Sequence, residues 1–178
     1  MIDDGDIRLR RATGDDAGFL VELVNHEDVE PFLGGRAAFD RERIEAELER
    51  QEREPEGFGR FVIEVRAPDG EWRRAGSIGF HVENERSRIA GCERLAVHPE
   101  FRGRRIADDA ARLFQRHLLV DLGFHRLEMT IYGFNERAQA HAERAGWTRE
   151  GVKRKAYWRH ERWTDGVLYG IVREDLGE

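Results

Sequence analysis

Alternating apolar and charged residues from Ile7 to Arg11 predict a short first strand. Thr13 and Asp16 have the spacing of a capping box. Ala17, Leu20, Val21 and Val24 then fall on one helical face, predicting a helix that ends near Asn25. Residues 26–38, with Pro31 and Gly34-Gly35, read as a loop. Asp40 is placed to cap a second helix reaching about Arg53. Its apolar stripe is thin, mainly Ile44 and Leu48, so it is expected on the surface. Its charges, Arg41, Glu42, Arg43, Glu45, Glu47, Glu49 and Arg50, are expected to form a solvated face. A hairpin follows, from strands Phe61 to Arg66 and Ala75 to Val82 around a turn at Pro68 to Gly70.

Asn84 to Gly91 reads as a connection, and Cys92 to Val97 as a strand. That strand runs through Pro99 and Gly103 into a helix expected from about Arg105 to Leu122, with Gly123 as its stop. Leu127, Met129 and Ile131 alternate with Glu128, Thr130 and Tyr132, predicting another strand. Asn135 is placed to cap a short helix, Glu136 to Ala145, that stops at Gly146. Trp147 to Arg154 and Val167 to Arg173 read as closing strands joined by an aromatic and basic loop. The predicted order is β-α-α-β-β-β-α-β-α-β-β, an α/β (α+β) chain. At 178 residues, with no repeat or low-complexity tract, it is expected to form one domain, 1–178.

Composition narrows the function. The net charge is -6 and 37% of residues are charged, with both signs interspersed. Such a chain does not read as a nucleic-acid binder. Only Lys153 and Lys155 are lysines, so arginine dominates the basic residues. Coding bias accounts for that without a binding role. Cys92 is the sole cysteine, which excludes an internal disulfide and a thiolate metal cluster. Met1 to Arg11 lacks the apolar run of a signal peptide, and no segment has transmembrane length, so a cytoplasmic protein is expected.

The stretch Leu95-Ala96-Val97-His98-Pro99-Glu100-Phe101-Arg102-Gly103-Arg104-Arg105-Ile106-Ala107 carries the most chemistry. A strand ends, a Gly/Arg loop turns, and an amphipathic helix begins. The first helical turn has free N–H groups and the positive end of the dipole. With Arg102, Arg104 and Arg105 around it, such a corner suits a pyrophosphate. This stretch resembles the coenzyme A loop of the GNAT N-acetyltransferases, Arg/Gln-x-x-Gly-x-Gly/Ala. Arg102 fits the first position and Ala107 the last, while Arg105 stands where the family usually has glycine. The element order also fits, so the resemblance covers about Ile7 to Leu176. Asn135-Glu-Arg-Ala138…Gly146-Trp147…Glu150-Gly151 looks like the family's Asn-x-x-Ser…Gly-Phe…Glu-Gly, with Ala138 for serine. Arg154, Gly166, Tyr169 and Arg173-Glu174-Asp175-Leu176 look like the closing pattern of the RimJ/RimL-type branch, with Asp165 just before the glycine instead of after it.

The resemblance implies a mixed, mostly antiparallel sheet of six to seven strands with about four helices. It implies acetyl-coenzyme A as cosubstrate. No paired His/Asp/Glu set has metal spacing, so no metal is expected. The arm of the cofactor would lie between the strands Leu95 to Val97 and Leu127 to Ile131. Cofactor-binding residues carried over are Leu95, Ala96, Val97, Arg102, Gly103, Arg104, Arg105, Ile106, Ala107 and Asn135. The partner implied is an amine acceptor, either a protein N-terminus or a small amine such as an antibiotic or polyamine. A homodimer is left open, and nucleic acid and membrane are not expected. The rival reading is a non-catalytic acyl-coenzyme A sensor.

Glu93 is the candidate base. A period of two puts it on the face of Leu95 and Val97, where apolar neighbours would raise its pKa. The plainer reading pairs it with Arg94 or Arg88. Glu83, Glu85 and Glu128 are weaker rivals. His141 reads as a satisfied, partly buried histidine, and Cys92 as a small core residue. Many family members carry a tyrosine at the position of Ala142 that protonates the leaving thiolate. Tyr157, Trp158, Trp163 and Tyr169 either shape the acceptor pocket or simply pack a hairpin.

Overall fold

Ile7 and Leu9 alternate with Arg8 and Arg10 because one side of their strand meets the core and the other meets charge. In the computed structural model, which describes residues 1–33 and 40–177, twelve elements follow in order. They are β1 (Ile2–Asp4), β2 (Ile7–Arg11), α1 (Ala17–Asn25), α2 (Arg41–Arg53), β3 (Phe58–Arg66), β4 (Trp72–Asn84), β5 (Ile89–Val97), α3 (Ile106–Arg116), β6 (Arg126–Tyr132), α4 (Glu136–Arg144), β7 (Thr148–Arg159) and β8 (Arg162–Val172). The loop expected through Gly34-Gly35 to Ala38 lies outside the described residues.

The strands form one sheet in the order β1-β2-β3-β4-β5-β6-β8-β7. It has eight strands, not the expected six to seven, because Ile2–Asp4 folds back on β2 as an extra edge strand. Three residues with one apolar position carry too little pattern to be read in advance. Every neighbouring pair is antiparallel except β5 and β6. The last two strands also run further than expected. The aromatic and basic stretch lies within β7 and β8, and only His160 and Glu161 turn between them, both at positive φ.

Two layers of helices cover the sheet. Val62 on β3 packs with Leu20 and Val24 of α1 and Ile44 and Leu48 of α2. On the other side Phe61, Ile63 and Phe80 pack with Phe114 of α3 and Ala142 of α4. The caps are as the sequence implies. Asp40 accepts from the Arg43 N–H at 2.9 Å, and Asn135 accepts from that of Ala138 at 3.1 Å. The Thr13 N–H donates to Asp16 at 2.9 Å. The helix after the loop ends its α-helical part at Arg116. One π-helical turn, His117–Asp121, completes it before Gly123 at φ +70°.

One expectation for α2 fails. Glu47 is not solvated: it is largely buried and reaches the guanidinium groups of Arg60 and Arg94. Ile44, Glu47, Leu48 and Gln51 are spaced i, i+3, i+4, i+7, so Glu47 lies on the inward face of the helix.

Candidate active site

β5 and β6 pair only at their starts, Ile89 to Gly91 against Arg126 to Glu128. Among the described residues their pairing goes no further, and a cleft of about 1090 Å³ opens between them. Parallel strands must part where one is diverted. Here β5 carries a bulge, with Ser77 opposite Ala96 but Gly79 opposite Glu93, and Arg94 inside it at φ +57°.

That bulge changes which way the side chains face. Glu93 and Ala96 lie opposite alternate residues of β4, so both lie on the α1/α2 side, where Ala96 packs with Leu23 and Val29. Leu95 and Val97 pack on the other side, against the α3 core. Glu93 therefore does not share their face, and the extra residue is the reason. Its carboxylate meets charged groups: it lies 3.7 Å from His81 Nδ1 and 3.5 Å from Arg94 Nε, so the pairing with Arg94 is present.

The cleft passes from one side of the sheet to the other. Its α3 end is walled by Phe101, Arg102, Gly103, Arg105, Ile106 and Ala107. Gly103 has φ +80° and Arg105 +58°, so the loop winds through two left-handed residues before α3 begins. Arg105 thus adopts the backbone for which the family's glycine is suited, with its side chain outward, 73% exposed. Leu95, Ala96, Val97 and Asn135 also line the cleft; Arg104 does not.

Next to this loop is a cluster that the residue pattern did not announce. Asp108, buried in the first turn of α3, accepts from His141 Nδ1 at 2.6 Å and Arg144 at 3.4 Å. Burial alone would raise the Asp108 carboxyl, and the hydrogen bonds from His141 and Arg144 outweigh it, leaving it below the usual range. His141 is the satisfied, partly buried histidine that the sequence suggests. Only tertiary structure supplies its partner, 33 positions away.

The α1/α2 end has a different character. His81 Nε2 lies 2.9 Å from Glu83, and the register puts Glu128 on the same side. Glu150 also lines this region and is held by Arg126. Tyr132 meets Tyr157 edge to face at 5.4 Å and stacks on Phe134. Arg159 donates to the carbonyls of Glu30 and Pro31, tying the β7–β8 hairpin to the segment carrying Phe32. Trp158 and Trp163 pack on each other, both more than half exposed, and do not line the cleft. Burial pushes the Cys92 thiol far above its usual range, which suits a packed residue and not a nucleophile. Among the described residues no group of three His, Cys, Asp or Glu could hold a metal ion, and no helix is long and apolar enough to cross a membrane.

The cleft is threaded through a splayed parallel strand pair and has a glycine and arginine loop leading into a helix N-terminus at one mouth, a place suited to phosphate groups. The family model described as an acetyltransferase (GNAT) domain matches residues 6–148. The chain belongs to the GNAT acetyltransferase family, whose chemistry is N-acetylation from acetyl-coenzyme A. A curated relative, the SPbeta prophage-derived uncharacterized N-acetyltransferase YokL of Bacillus subtilis (strain 168), is 28% identical over 82 residues, covering 46% of each chain. The match thus spans about half the length of that relative. The spermidine N-acetyltransferase of Vibrio cholerae in complex with CoA and spermine superposes with a TM-score of 0.86 at 17% identity, covering 98% of this chain and 100% of that one. The ribosomal-protein-S5-alanine acetyltransferase of Vibrio fischeri gives 0.82 at 16%, covering 97% and 96%. At such identities the structures share the fold.

Proposed function

We propose that residues 1–178 form one cytoplasmic N-acetyltransferase domain that moves an acetyl group directly from acetyl-coenzyme A to a primary amine. The observation carrying this is the cleft itself. A phosphate-suited loop stands at one end and carboxylates at the other, joined through the gap between β5 and β6. Bound there, acetyl-coenzyme A supplies an activated acyl group and a thiol leaving group. The first turn of α3 and Arg102 and Arg105 would meet the cofactor's phosphates, and Asn135 and the β5 backbone beside β6 would hold its arm. Glu93 takes the proton of the incoming ammonium. The amine nitrogen would then bond to the acyl carbon as the carbon–sulfur bond breaks, its remaining excess proton passing to solvent or to the departing thiolate. Ala142 has no proton to give, and a thiol of pKa about 8.5 leaves without one near neutral pH.

Glu83, Glu93 and Glu128 favour an acceptor that carries positive charge, such as a polyamine. The likeness to the spermidine enzyme's fold is compatible with this. Protein N-termini are the second reading, favoured by the RimJ/RimL-like close at Arg173 to Leu176. An acetyl-coenzyme A assay with spermidine, an aminoglycoside and peptides with free N-termini tests both. Turnover of spermidine above the peptides supports the first. Coenzyme A binding without turnover of any amine would instead establish the sensor. Glu93→Gln should lower kcat/KM at least tenfold and leave coenzyme A affinity within twofold.

A further inference from the structure

Two largely buried arginines, Arg60 on β3 and Arg94 beside Glu93 on β5, both reach one carboxylate from a helix. Arg60 on β3 is almost wholly enclosed. Its Nη2 donates to Glu47 Oε2 at 3.0 Å, while among the described residues nothing accepts from its Nε or Nη1. Burial, and then the charge of Arg94, push the Arg60 guanidinium down to about 10. Arg94, in the bulge, donates through Nη1 to Glu47 Oε1. Its Nε, on the other side of the same guanidinium, is 3.5 Å from Glu93 Oε1. One guanidinium is thus shared between a structural carboxylate and the candidate base.

Two carboxylates that compete for one cation set each other's proton affinity. Glu47 draws Arg94 toward α2 and offsets much of its charge. Without Glu47, the contact of Arg94 with Glu93 at 3.5 Å is free to tighten. The groups around Glu93 are then His81 from β4, Arg94 from β5 and Arg60 from β3, with Glu83 and Glu128 on the same side.

We propose that Glu47 is a positioning residue: by engaging Arg94 through Nη1 it limits how closely that guanidinium pairs with Glu93, 3.5 Å away, and so keeps the Glu93 carboxylate available as a base. This rests on the reading of Glu93 as the base. α2 then has a role beyond covering the sheet, since its one inward carboxylate sets the strength of a group at the cleft.

The test compares pH–rate profiles of the full chain, Glu47→Gln, Arg94→Gln, the double variant and Glu93→Gln. Acetyl-coenzyme A is used with spermidine, or with the peptide amine if that is the better substrate. In Glu47→Gln the acidic limb should move to lower pH by about half to one unit and kcat should fall roughly three- to tenfold. The KM for acetyl-coenzyme A should stay within twofold. Both effects should vanish in the Arg94→Gln background. Equal losses in both backgrounds with an unmoved limb would show that Glu47 only holds the fold, and the proposal fails. If Glu47→Gln does not fold, Glu47→Asp replaces it. Its shorter side chain cannot reach both arginines as well, so a smaller shift in the same direction is expected, and no shift overturns the proposal. If Glu93→Gln keeps the acidic limb, Glu93 is not the base and both readings fall. If it loses the limb while Glu47→Gln keeps it in place, only the present one does.

Discussion

Replacing Arg105 by glycine separates two roles that this residue combines. Its backbone is left-handed at φ +58° and ψ +10°, a conformation that costs a non-glycine residue about 1 kcal/mol. Glycine removes that strain but adds about the same cost through the greater freedom of the unfolded chain. The side chain is mostly exposed and its Nε lies 3.9 Å from Asp108, so losing that pair costs at most about 0.5 kcal/mol after solvent screening. The folding stability of Arg105→Gly should therefore stay within about 1 kcal/mol of the parent. Binding should respond differently. A guanidinium meeting a cofactor phosphate at an exposed site contributes about 0.5–1.5 kcal/mol, or roughly a two- to thirteenfold change in affinity. Calorimetric titration with coenzyme A at low and high salt measures it. Arg105→Gly should bind more weakly at low salt, and the two proteins should converge as salt rises. Tighter binding by the glycine variant would show that the arginine obstructs the loop. An unchanged salt dependence would show that it does not meet phosphate.

Gly103→Pro fixes φ near −65° where the loop has +80°, and it deletes an N–H. Coenzyme A affinity should fall at least tenfold by calorimetry. Asp16, fully buried, accepts from Arg10 at 2.6 and 2.9 Å and lies 3.0 Å from Arg74. Burial would raise its carboxyl, but the Arg10 hydrogen bonds and the Thr13 N–H hold it below the usual range. A depressed carboxyl stabilises the fold above its unfolded pKa of about 3.9, and that contribution is lost as pH falls through the folded value. Asp16→Asn should thus unfold about 3 kcal/mol more easily at pH 7 by denaturant titration, and the gap should narrow below about pH 4.

What the chain determined locally was its elements and the glycine and arginine loop before α3. The caps at Asp40 and Asn135, the stops at Gly123 and Gly146, and the alternation in β2 and β6 depend on neighbours within a few residues. Such neighbours are printed in the sequence. Motif spacing likewise put Arg102, Gly103, Arg105 and Ala107 in one turn. The polar end of the cleft was not legible in this way. Counting by twos assigned Glu93 to the face of Leu95 and Val97, and a single bulge residue at Arg94 reversed that assignment. Nothing in the composition of that strand marks a bulge, since arginine does not favour positive φ. Glu47 stood on the inward face of a helix rich in charge, but its ligands, Arg60 and Arg94, come from two strands brought beneath it only by the sheet. His141 and Asp108 meet in the same way, across two helices. Local structure follows from the period of apolar residues because burial is decided within a turn or a strand. The partner of a buried charge is decided by which elements the sheet brings together, and the tertiary structure alone determines that.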